Sequence, residues 1–176
     1  MSLRTIRRRR REGKTDYKAR LALLKSGIPR IVIRRTNKYI LLQAIESSQA
    51  SDKVIFTASS KDLLKNGLDE KYSGSLKSIP ASYLTGILMA KKLGKENEYI
   101  IDWGMAIGKK GGKICAAING MVDGGSKIRT SKEIFPSSER IKGEHLKEEV
   151  KLAFNKLKEK LIKWQKKRKK LKRKKK

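Results

Sequence analysis

Like charge is concentrated at both ends of the chain, so the bulk of any fold is expected between them. Residues 1–14 carry seven basic side chains and one acidic, residues 151–176 carry fifteen and one, and the middle carries twenty-four and fifteen. The net charges, +6, +14 and +9, sum to the +29 of the whole chain. About two-thirds of the excess charge thus sits in the two ends, flanking a moderately basic domain. With 38% of 176 residues hydrophobic, the middle can supply one domain with extensions. The expected division is a basic arm over 1–14, a folded domain over 15–148 and a basic helical extension over 149–176. Charge of this size asks for external counter-charge, from nucleic acid or an anionic membrane surface.

Other classes are poorly served. Cys115 is the single cysteine, so no disulfide can form within the chain. Its place in the apolar run 114–118 suits a small buried thiol. No apolar stretch approaches the ~20 residues of a membrane span, and no signal-peptide core follows the basic start, so an intracellular soluble protein is expected. One cysteine and one histidine, His145, cannot make a zinc cage, and neither a metal nor a cofactor is called for.

Local patterns give the elements. Residues 15–26 read as a helix capped by Thr15 or Asp16 and ended by Gly27. Residues 28–34 and 39–46 read as strands joined by a turn at 35–38, and 53–58 as a third strand after a polar SSQASD connection. Ser59 and Asp62 have capping-box spacing for a short helix through Leu64, and 66–78 reads as loop. Pro80 suits the first turn of a helix with Leu84, Ile87, Leu88 and Leu93 on one side, stopping at Gly94. A buried strand over 99–103, a glycine- and lysine-rich loop over 104–113 and an apolar helix over 114–122 follow. The order implies an α/β layered domain with a mixed sheet.

From about Ser138 the pattern is helical to the end. Val150, Phe154, Leu157, Leu161, Trp164 and Leu171 form a heptad-like seam, with Arg168 in phase. It could pack on the domain, dock a partner protein, lie along nucleic acid or lie on a membrane surface. Eleven of the last fourteen residues are basic, so 163–176 is expected to fray unless phosphate is present.

Chemistry-bearing patterns favour recognition over catalysis, and no small-molecule substrate is implied. GMAIGKK at 104–110 has three residues between its glycines and no Ser/Thr after the lysines, so it is not a nucleotide loop. Lys109, Lys110 and Lys113 can still contact phosphate, because the glycines beside them let the backbone approach. A two-metal nuclease needs carboxylates converging at strand ends. Asp102 and Asp123 read as turn or helix-end residues, and the first strand offers only arginines. His145 reads as a structural or RNA-contacting residue. At one hairpin tip, Arg34, Arg35, Asn37, Lys38 and Tyr39 combine phosphate donors, an amide able to read a base edge and a ring for stacking. The arginines Arg7, Arg8, Arg9, Arg10 and Arg11 form a basic arm, expected to be disordered when free.

Five blocks carry a family resemblance: residues 7–40, IPASYLTGILMAKK (79–92), YIIDWG (99–104), AAINGMVDGG (116–125) and IFPSSERIKGEH (134–145). In this order they resemble the archaeal-type L18 family of ribosomal large-subunit proteins, which bind 5S ribosomal RNA. The resemblance implies a three-layer α/β fold with a mixed sheet similar to ribonuclease H, without nuclease activity. It implies a cytoplasmic place in the central protuberance of the large subunit. The implied partners are 5S rRNA, the 23S-type rRNA and neighbouring large-subunit proteins, with no membrane. Carried over, it points to Arg7 to Arg11, Lys14, Tyr17, Arg34, Arg35, Asn37 and Lys38 as RNA-binding. It also matches Arg140, Lys142 and His145 to a block without an assigned role.

Overall fold

The computed structural model describes residues 5–48, 51–94 and 97–173, with side chains up to residue 161. A single helical turn, α1 (Arg8–Arg11), precedes α2 (Tyr17–Lys25). Asp16 caps α2, its Oδ1 accepting from the amides of Lys18 at 2.9 Å and Ala19 at 3.1 Å. Gly27, at φ 66°, turns the chain into β1 (Arg30–Arg35). β2 (Ile40–Ser48) and β3 (Ser51–Ser59) complete an antiparallel meander. The polar 47–52 segment expected as a loop is mostly strand; Gln49 and Ala50 lie outside the described residues.

α3 (Asp62–Lys65) starts later than the capping-box spacing predicts: the Asp62 carboxylate accepts from the Ser59 amide at 3.0 Å, but Ser59 Oγ accepts from the Lys61 amide at 3.3 Å and not from that of Asp62. A short 3-10 helix over Glu70–Ser75 interrupts the expected loop. α4 (Ile79–Leu93) is capped by Ser78, with Pro80 in its first turn. β4 (Glu98–Asp102), α5 (Lys113–Asp123) and β5 (Lys127–Ile128) follow. The sheet order is β3-β2-β1-β4-β5, with β4 parallel to β1 and β5 parallel to β4.

The alternation of β1 and β2 sets Ile31, Ile33, Ile40, Leu42 and Ala44 on one face. There they bury with Met89 and Leu93 of α4 and Ile114, Ala117, Ile118 and Met121 of α5. A second apolar cluster lies on the far side of α4, where Leu84, Ile87 and Leu88 meet Leu63 of α3. Phe154, Leu157 and Leu161 of α7 (Glu148–Arg173) close that cluster. The layers are therefore the sheet, then α4 with α5, then α7. The expectation that α4 buries one side needs correction, since every residue from Ile79 to Ala90 is buried. A helix sandwiched between layers has no wet face to pattern.

α4 and α5 cross on glycine. A Cβ on Gly120 would lie 2.0 Å from the Tyr83 carbonyl oxygen, and one on Gly86 would lie 2.1 Å from that of Ala117. The Tyr83 hydroxyl donates to Asp123 at 2.8 Å, closing the same crossing. Burial pushes the Tyr83 hydroxyl pKa far above its ordinary value, and the Asp123 carboxylate adds to the rise.

The C-terminal region also departs from one continuous helix. α6 (Ser138–Lys142) ends at Gly143 in the left-handed conformation, and α7 starts only at Glu148. The first half of the heptad-like seam packs on the domain, with Val150 half-buried and Phe154, Leu157 and Leu161 buried. Trp164, Arg168 and Leu171 lie beyond the described side chains. The backbone stays helical to Arg173, where fraying was expected from 163. Lysine and arginine are good helix formers, which offsets part of their mutual repulsion.

Candidate nucleic-acid interface

The expected basic residues fall into separate groups, set by the two ends of β1. Near its Arg30 end stands the arm with α2. Arg8 pairs with Glu12 at 3.1 Å, Lys14 pairs with Glu12 at 2.8 Å, and Arg9 Nε donates to Thr15 Oγ1 at 2.9 Å. The Arg7 guanidinium lies 4.9 Å from the centre of the Tyr17 ring. The expectation of a disordered arm is thus corrected for its inner part. An i,i+4 Arg–Glu pair, a glycine at φ 61° and a stacked cation fold residues 7–17 back on themselves. Arg10 and Arg11 are exposed and without side-chain partners among the described residues.

α2 buries no residue, and Leu21 is 54% exposed. It is tied to the sheet through charge. Arg20 donates to Asp52 Oδ2 at 2.7 Å, the buried Arg30 donates to the same oxygen at 2.7 Å, and Ser47 donates to Oδ1 at 2.7 Å. Partial burial pushes the Asp52 carboxyl up, but hydrogen bonds from Ser47, Arg30 and Arg20 outweigh it and hold the pKa below the ordinary 3.8. A depressed carboxylate stabilises the folded form above its unfolded pKa and loses that contribution as pH falls through the folded one. At neutral pH the clamp is fully formed, and it is expected to weaken as pH falls below the ordinary carboxylate range. The protection of the α2 amides, corrected for their intrinsic exchange rate, should fall in acid, and Asp52→Asn should lower it likewise at pH 7.

At the other end of β1, about 20 Å along the strand, lie the hairpin tip and the glycine loop. Thr36 shapes the tip, its hydroxyl donating to the Tyr39 carbonyl at 2.7 Å and accepting from the Tyr39 amide at 3.0 Å. Asn37 and Lys38 are exposed at the turn, and Lys61 Nζ sits 4.6 Å from the Tyr39 ring centre. Asp102 behaves as a turn residue. Its Oδ1 accepts from the Gly104 amide at 2.8 Å, and Arg30 and Arg34 flank it at 3.7 Å each. Two guanidiniums at a carboxylate leave poor chemistry for holding a metal ion.

Arg35 points to the opposite side of β1 from Arg34, towards Lys113 at the start of α5. Burial pushes the Lys113 pKa down, and repulsion from Lys77 and Arg35 pushes it further. So the fold brings together two groups that are far apart in sequence, the hairpin tip and the glycine loop. It also adds Lys77, which sequence reasoning missed because nothing local marks it. None of Arg35, Lys77 and Lys113 has a carboxylate partner among the described residues. Lys109 and Lys110 are exposed on the same loop, which is held by a Gly111 N–H bond to the Ile134 carbonyl at 2.9 Å. Cys115, buried beneath it, donates its thiol to the Lys109 carbonyl at 3.3 Å, and burial pushes its pKa up.

Arg140 and Lys142 are exposed on α6 and His145 is exposed just after it. Gly143 seats this turn against Pro80, where a Cβ would meet the ring at 3.2 Å. The arrangement is a set of cations held by a rigid frame at one end of the domain, with a separate basic arm at the other.

Comparison with known proteins gives this arrangement a context. The family model described as "Ribosomal large subunit proteins 60S L5, and 50S L18" matches residues 2–100. The large ribosomal subunit protein uL18 of Korarchaeum cryptofilum is 49% identical over 141 residues, covering 79% of this chain and 70% of that protein. The uL18 protein of Methanoregula boonei is 42% identical over 141 residues, covering 79% of each chain. That of Methanoculleus marisnigri is 43% identical over 143 residues, covering 80% of this chain and 79% of its own.

Proposed function

The chain belongs to the ribosomal large-subunit L5 and L18 family, and from that premise we propose that it binds 5S rRNA and attaches it to the large-subunit rRNA in the central protuberance. It is a structural protein of the large ribosomal subunit, and its place is the ribosome in the cytoplasm. The mixed five-stranded sheet, antiparallel through β2 and parallel through β4 and β5, supports a ribonuclease-H-like frame used for binding.

One observation carries the RNA reading. Burial penalises the charge on Lys113 in the free protein, and Lys77 and Arg35 add repulsion to it, with no carboxylate partner among the described residues. A site that holds unpaired cations together is complementary to closely spaced phosphates, whose condensed counterions it displaces on binding. On this reading the hairpin tip sets register, with Asn37 reading a base edge and Tyr39 stacking on a base in place of Lys61.

The test is competition between 5S rRNA and bulk transfer RNA at near-physiological salt. Preference for 5S rRNA by at least about a hundredfold is expected, since specific sites exceed nonspecific ones by that much or more. Equal binding would reduce the chain to a nonspecific nucleic-acid-compacting protein.

A further inference from the structure

The two edges of the sheet differ in length and in exposed apolar surface, although both carry charge. β5 is an edge of two residues, next to the Arg129–Glu98 ion pair at 2.5 Å. Short strands and charge are the ordinary protection of an edge against pairing with another chain. β3, at the other edge, has nine residues, and Val54, Ile55 and Phe56 on it are 47%, 39% and 37% exposed. A register shift between Ala44 and Ile45 leaves Ile55 unpaired in the ladder. Beside Phe56 runs an open groove of about 650 Å³, floored by Leu88 of α4 and Leu161 of α7 and rimmed by Lys65 and Lys160. Lys92 donates to the Thr57 carbonyl, so the groove and the strand are fixed relative to each other.

We propose that β3 is a docking edge for an extended acidic segment of a neighbouring protein, which pairs with it as a sixth strand and seats an apolar side chain beside Phe56. Three features select this occupant. A strand edge offers backbone amides and carbonyls in a row, which a peptide can match and a nucleic acid cannot. The apolar floor takes an alternate side chain of that peptide, as strand addition requires. The rim is basic, and its acid, Asp62, is already engaged by the Ser59 amide and by Lys92 at 4.0 Å. A second copy of the chain would instead bring two molecules of charge +29 together, with Lys53 on both edges. The proposal is independent of which RNA the protein binds.

The experiment uses the full chain at about 0.15 M salt and a short capped peptide alternating glutamate with valine and phenylalanine. Its control has the same sequence and charge but carries N-methyl groups on alternate residues along one edge. The unmodified peptide should bind at least about tenfold more tightly than the control and slow hydrogen exchange on β3. Phe56→Lys, at an exposed position, should weaken binding about tenfold while leaving 5S rRNA binding unchanged. Equal binding of the two peptides would mean simple charge attraction and overturn the proposal. Binding of neither peptide would also overturn it, as would concentration-dependent dimerisation of the chain that Phe56→Lys abolishes.

Discussion

Alanine at Gly120 should cost the protein its native packing. The added methyl would have to occupy space 2.0 Å from the Tyr83 carbonyl oxygen and 3.2 Å from the Ile87 amide nitrogen. Those are backbone atoms of a helix enclosed on nearly all sides, so no side chain can rotate away. The helices must separate, and the apolar layer against the sheet must open with them. Overpacking of this kind costs about 3 kcal/mol or more, a drop of roughly 10 °C in Tm for a chain of this size. Gly86→Ala should behave alike, because its Cβ meets the Ala117 carbonyl oxygen at 2.1 Å. At Gly74 no atom lies within 4 Å of the place a methyl would take, and the backbone angles are ordinary, so Gly74→Ala serves as the neutral control. Circular-dichroism melting of the three variants decides the matter; a Gly120→Ala protein melting with the wild type would mean that the helices are less tightly apposed than these distances require.

The largest effect on binding is expected in the arm. Replacing Arg7, Arg8, Arg9, Arg10 and Arg11 by glutamine should weaken 5S rRNA binding on the order of a hundredfold to a thousandfold near 0.1 M salt. It should also flatten the dependence of log K on log salt by up to about four. The structure divides that loss unequally. Arg8 and Arg9 are held by Glu12 and Thr15, and Arg7 is stacked on Tyr17, whereas Arg10 and Arg11 are unengaged. The double change at Arg10 and Arg11 should therefore account for about two units of slope by itself. Arginine suits this place better than lysine, because its planar fork can grip a phosphate through two parallel hydrogen bonds. A salt titration by filter binding reads both quantities, and an unchanged slope would show that the arm does not touch phosphate.

What the sequence could announce depended on whether the signal was local. Asp16, Gly27, Ser78 with Pro80, and Gly94 each mark an element end through their own backbone chemistry, and each stands where such chemistry places it. The β1–β2 hairpin was legible from its β-branched runs and polar turn. β5 was not, because two residues have no periodicity. The all-round burial of α4 escaped notice because its partners are α5, α7 and the sheet, all distant in sequence. Gly143 did carry a stop signal, which the strong apolar repeat after it obscured. In the candidate site, the charged hairpin tip and the glycine loop were visible as separate patches. Their meeting through Arg35 and Lys113, and the recruitment of Lys77, arise only from the parallel pairing of β1 with β4 and the placement of α5.

The cluster of Arg35, Lys77 and Lys113 has a consequence for the life of the protein outside the ribosome. Whatever neutralises those three charges binds the native chain and stabilises it by mass action. Until that happens the repulsion at Lys113 remains, and a free molecule is expected to open more often than one bound to a polyanion. Opened molecules are what proteases degrade. On the RNA-binding reading, copies made in excess of their RNA are expected to be degraded faster than bound ones, which a pulse-chase measurement with and without co-expressed RNA would check.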